Sequence, residues 1–152
     1  MNYYLDTEFD GHSGPLISIA LVREDGYSVY IITSRTAQDE WVVNNVLPVL
    51  DNHRADEVLE VPEDYAGQIL KSFIGNDSNP TIIADSVVDI GRFCRAVSTS
   101  QTGTWESVDC PIIEFRVHDV ASYPTELAGA TQHNALWDAL ALKYYFEYSE
   151  SA

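Results

Sequence analysis

The sequence predicts an α/β fold built on a mixed five-stranded sheet, an antiparallel meander extended by parallel strands and flanked by helices. Three observations predict it. β-prone runs joined by short turns fill the first third of the chain; beyond Thr36 the apolar residues switch to helical spacing; and short apolar strands then alternate with helical segments. With 152 residues, 45% of them apolar, the chain is expected to form a single domain over residues 1–152, without repeats or linkers.

The first strand is read over residues 2–5, aromatic and β-prone, and it runs straight into Asp6-Thr7-Glu8-Phe9. Gly11, Ser13, Gly14 and Pro15 make a turn, and the unbroken apolar run at 16–22 is a buried strand. Glu24-Asp25-Gly26 signals a hairpin into a third strand at 27–32. Turns this short join antiparallel neighbours. Trp41, Val42, Asn45, Val46 and Val49 then recur at helical spacing, with Asp39 and Glu40 suited to the N-terminal dipole and Pro48 limiting the end. Residues 51–64 carry six acids: Asp51, Asp56, Glu57, Glu60, Glu63 and Asp64. Tyr65, Ile69, Leu70 and Phe73 mark a second helix closed by Gly75. Residues 81–84 form a strand too short to be a helix. Ile90, Phe93, Cys94 and Val97 mark a third helix, residues 98–109 read as a polar loop, and 111–115 as the fifth strand. From Asn134 onward the chain is helical.

Eight Lys and Arg stand against 24 Asp and Glu, a formal charge of −16. That balance excludes a protein that coats nucleic acid through a basic footprint. No apolar run approaches the ~18 residues that cross a bilayer, so no membrane role is expected. The first residues lack the basic and apolar regions of a secretory signal, and Cys94 and Cys110 then read as reduced, buried thiols of a cytoplasmic protein. No Cys/His spacing suits zinc.

The chemistry lies in the acids. Asp6 and Glu8 are two residues apart at the end of a strand, so both project from one face, about 7 Å apart at the Cα atoms. Like charges this close need a cation or a proton to coexist; two solvated acids at an exposed strand end are the plainer alternative. Asp138 shares a helix face with Ala141, Leu142 and Tyr145, where a lone charge is costly, although the first helical turns also favour an anion. His133 lies five residues earlier, about 140° away around an ideal helix. Within the helix it would face elsewhere; on a loop before a helix starting near Asn134, it could swing over the same site as a general base. Asp85 directly follows the fourth strand and Asp89 begins the next helix, and capping or first-turn roles suit both.

Together these pieces resemble the DEDDh-type 3′–5′ exonucleases of the ribonuclease H-like superfamily. The Asp6-Thr7-Glu8-Phe9 start, the short chain and the strand order look most like their compact bacterial exoribonuclease AS branch. The resemblance implies that Asp6, Glu8, Asp89 and Asp138 are metal ligands, with Asp85 the reserve for the mid-chain position, and that His133 is the general base. It implies a cofactor of two Mg²⁺ or Mn²⁺ ions, ~4 Å apart, which suit an all-oxygen site. The catalytic set is then Asp6, Glu8, Asp89, His133 and Asp138, and the products are nucleoside 5′-monophosphates. Thr7, Phe9 and Arg92 are the expected substrate contacts, Phe9 by stacking on a terminal base and Arg92 at a phosphate. The implied partner is nucleic acid: single-stranded RNA 3′ ends or short oligonucleotides, which suit a chain whose charge weakens capture of long strands. A homodimer is compatible with this reading. The rival is a non-catalytic acidic binding protein, a decoy that imitates nucleic-acid charge, for which the acids at 51–64 supply some of the required surface.

Overall fold

The structure, a computed structural model, describes residues 1–98, 112–119 and 127–150. Strands β1 (Asn2–Phe9), β2 (Leu16–Arg23) and β3 (Ser28–Ile32) form the expected antiparallel meander. Helix α1 (Glu40–Asn45) and a 3-10 turn at Leu47–Val49 follow, then β4 (Glu57–Glu60), α2 (Glu63–Ile74), β5 (Thr81–Ala84), α3 (Val87–Ser98), β6 (Glu114–Val117) and α4 (Ala135–Glu150). Among the described residues the sheet has six strands in the order β4-β3-β2-β1-β5-β6. Strand β5 pairs parallel to β1, and β6 parallel to β5. The mixed sheet, flanked by four α-helices among the described residues, is compatible with a ribonuclease H-like fold.

The sixth strand is β4, inside the acid-rich stretch to which the sequence reading assigned no element. It lies parallel to β3 at the sheet edge, where only Leu59 is half-buried and Glu57, Val58 and Glu60 are exposed. An edge strand carrying acids loses the apolar alternation that marks a strand. The last strand begins at Glu114, three residues beyond the expected 111, and Pro111 and the greater part of the 98–109 loop lie outside the described residues, as does Cys110.

The helix expected through Val49 ends sooner. Asp39 caps α1 by accepting from the Val42 N–H at 3.1 Å, and after Asn45 the chain tightens into the 3-10 turn that contains Pro48. Proline lacks the N–H that an α-helical ladder requires. Gly75 ends α2 at φ 61°, a backbone conformation that costs glycine little.

Alternation along β1 divides the core. Tyr3 and Leu5 face α2 and α3, packing with Leu21, Ile31, Leu70 and Phe93. Tyr4 faces α4, packing with Val22, Tyr30, Leu136, Leu142 and Phe146. Both faces are covered, which is why β2, β3 and β5 are nearly continuous apolar runs. Helices α2 and α3 approach closely at Gly67, where an added Cβ would lie 2.0 Å from the Ala96 carbonyl oxygen.

Candidate metal centre

Because β1 is flanked on both sides, its C-terminal end receives side chains from two neighbouring elements and from α4. The parallel register pairs Leu5 with Ala84, so Asp6 and Asp85 leave adjacent strand ends side by side. Asp89, buried in the first turn of α3, reaches the same spot from the opposite face. Oxygens of Asp6, Asp85 and Asp89 lie within 4.8 Å of one another. Two residues along β1 the register with β2 shifts between Glu8 and Phe9, a bulge of the kind that re-aims side chains beside functional sites. Glu8 there meets Asp138 and His133, again with ligand atoms within 4.8 Å of one another.

The start of α4 explains how His133 arrives. Asn134 is fully buried and caps the helix, its Oδ1 accepting from the N–H of Leu136 at 3.1 Å and of Trp137 at 3.4 Å. Its Nδ2 donates to the Val49 carbonyl at 2.8 Å, which anchors this helix end to the 3-10 turn. His133 therefore stands on the turn before the helix, at φ 64°. Non-glycine residues rarely adopt that conformation, and where they do the surroundings hold them. Here the His133 N–H donates to Asp138 Oδ2 at 2.9 Å, and the Trp41 ring meets the imidazole edge-on with centroids 4.8 Å apart.

The electrostatics are those of crowded anions. Burial, then Asp138 and Asp89, push the Asp6 carboxyl well above its usual range. The same influences raise Glu8 to about 8, and burial raises Asp89 to about 7 despite the 2.5 Å hydrogen bond that the Thr7 hydroxyl donates to its Oδ1. Among the described residues, Asp6, Glu8, Asp85 and Asp89 form no ion pair with Lys or Arg. Asp6 Oδ2 is buried and accepts no hydrogen bond. Oxygen donors with an orphaned buried carboxylate oxygen fit hard divalent cations, which would supply the missing positive charge.

The three expected substrate contacts differ in availability. Thr7 is buried and its hydroxyl is committed to Asp89. Arg92 donates to the Gly14 carbonyl at 2.6 Å and lies over the Phe9 ring, 4.3 Å from its centroid. Phe9 lines an open cleft of about 380 Å³ with Glu8, Gly11, His12, Asp39, Trp41 and Val42. Trp41, exposed at 52%, is the site-lining residue that the sequence reading treated only as a helix marker. Its signal was an aromatic residue on the solvent side of α1.

Fold and site together define an α/β protein with a cluster of acids and one histidine at the end of its central strand. No family model matches the chain. Two curated proteins named 3′–5′ exoribonuclease, from Mycobacterium tuberculosis strains CDC 1551 and H37Rv, are each 44% identical to it over 55 residues. The match spans 33% of this chain and 33% of each relative, so the chain matches about a third of the length of those proteins. Among the described residues no helix is long and apolar enough to cross a membrane.

Proposed function

We propose that this chain is a metal-dependent 3′–5′ exoribonuclease that removes nucleoside 5′-monophosphates from single-stranded or short RNA. The observation that carries the reading is the convergence of Asp6, Glu8, Asp89, His133 and Asp138 from β1, α3 and the start of α4, with no Lys or Arg bridged to Asp6, Glu8 or Asp89 among the described residues. The relatives' printed name supports the choice of RNA and of the 3′–5′ direction. The four acids and the histidine on the turn before α4 support the DEDDh type, with Asp89 in the mid-chain position.

Asp6, Glu8 and Asp138 would hold one divalent cation, and Asp6 with Asp89 the other. Bound there, Mg²⁺ or Mn²⁺ supplies Lewis-acid charge for phosphodiester hydrolysis. His133, kept over the cluster by its backbone bond to Asp138, takes the proton from the attacking water. Thr7 steadies Asp89, and Phe9 and Trp41 offer aromatic surface beside Glu8 for a terminal base. The decoy reading has no comparable support. Asp51 and Glu60 bind Arg35, Asp56 accepts from Ser28, and Glu63 accepts from the Leu16 N–H, so these acids serve the fold.

The test is a time course on a 5′-labelled oligoribonucleotide with a free 3′ end, in Mn²⁺, Mg²⁺ or chelator. Stepwise shortening from the 3′ end with either metal, stopped by chelator and abolished in Asp89→Ala, is the expected result. No hydrolysis with either metal overturns the proposal.

A further inference from the structure

Among the described residues the side-chain partner of Asp85 is another acid, the Asp89 carboxyl. Asp85 is exposed at the end of β5, and the cap of α3 is provided by its neighbour: Ser86 Oγ accepts from the Val88 N–H at 3.1 Å. Among the described residues neither a backbone N–H nor a Lys or Arg donates to the Asp85 carboxylate. Asp89 lies within hydrogen-bonding reach of it, and Asp6 and Glu8 feel its charge from beyond that reach. A solvated aspartate at a strand end is free to turn away from like charges. This one instead has an oxygen within 4.8 Å of those of Asp6 and Asp89, and the Asp6 oxygen left without a hydrogen bond belongs to the same cluster.

We propose that Asp85 is a direct ligand of the cation held by Asp6 and Asp89, a fifth carboxylate in the centre. The inference rests on the reading above that this cluster holds divalent cations. Its consequence is specific. Three carboxylates from three different positions (Asp6, Asp85 and Asp89) hold a divalent ion without help from a substrate phosphate, so the free protein takes up two ions per chain before any RNA arrives. Calcium, magnesium and manganese all favour carboxylate oxygens, and affinity rises with the number of charged ligands.

Mn²⁺ alone is the probe, titrated into the full chain without nucleic acid and followed by calorimetry and by loss of the free-ion electron paramagnetic resonance signal. Wild type is expected to bind two ions. Asp85→Asn, which keeps the shape of an exposed side chain and is expected to leave the metal-free melting curve in place, should weaken one of them by ~10–100-fold or more while leaving the other unchanged. Asp138→Asn should weaken the other ion instead. Two ions bound with unchanged affinity in Asp85→Asn would overturn the assignment of Asp85 and leave the metal centre standing. No Mn²⁺ binding by wild type would overturn the metal centre itself, and with it this inference.

Discussion

Glu8→Gln separates the energetic cost of the crowded acids from their use. In metal-free protein Glu8 keeps its proton to about pH 8, whereas the unfolded chain releases it near 4.5. Between those values the unfolded state has lost a proton that the folded state still binds, so stability falls as pH rises; the contribution is fully present below 4.5 and gone above about 8. A displacement from 4.5 to about 8, at roughly 1.4 kcal/mol per tenfold change in proton affinity, caps the loss near roughly 5 kcal/mol. Asp138 shares the same field, so roughly half of that, 2–3 kcal/mol, belongs to Glu8 alone. For a chain of this size that is roughly 4–12 °C in melting temperature. Circular-dichroism melts in chelator should therefore show Glu8→Gln above wild type by that amount at pH 8, with the gap nearly closed at pH 5. Adding Mn²⁺ at pH 8 should reverse the order, because wild type gains a ligand that the variant lacks. A variant that melts at or below wild type at pH 8 in chelator would refute the reasoning, since the acid would then not be strained by burial and by its neighbours.

Other outcomes follow from single contacts. Asn134→Ala removes the α4 cap and the buried side-chain donor to the Val49 carbonyl, which keeps the Asn52 N–H, and should cost roughly 1–3 kcal/mol in urea unfolding. Gly67→Ala drives a methyl into the Ala96 carbonyl, and the forced separation of α2 and α3 should cost roughly 1–3 kcal/mol by the same measurement. Trp41→Ala takes away the edge-on support of His133, worth roughly 0.5–1.5 kcal/mol, so single-turnover RNA hydrolysis should slow about three- to tenfold. Asp138→Ala removes the acceptor that holds the His133 N–H, and should abolish hydrolysis with both Mg²⁺ and Mn²⁺ while the sheet's circular-dichroism signal persists.

Strong local patterns carried most of the fold. The meander was legible because its turns are short and its strands apolar, and α2 because Gly75 closes it. Strand β4 was not, since an edge strand is recognised by its partner β3 and not by its own composition. Helix α1 was read too long because a period of apolar residues continues through the 3-10 turn, where Pro48 changes the hydrogen bonding without changing the spacing. For the candidate site, the i and i+2 spacing placed Asp6 and Glu8 on one face, and the structure sets His133 on the turn ahead of a helix that begins at Ala135. The preference for Asp89 over Asp85 came from the resemblance and not from local pattern. Their placement depends on the register of β5 against β1 and on which residue caps α3, and the structure brings both acids to Asp6. Arg92 likewise read as a phosphate contact, because its commitment to Gly14 and Phe9 joins residues about eighty positions apart.

The anchoring of α4 by Asn134 bears on when the cluster comes into being. Four of its acids lie within the first ninety residues, while His133 and Asp138 lie at the start of α4, which packs on the sheet. A nascent chain can thus build β1 through β5 before the most crowded carboxylate pair, Glu8 with Asp138, has formed. The crowding of Glu8 against Asp138 arises only with α4 in place, together with the burial of Leu136, Leu142 and Phe146.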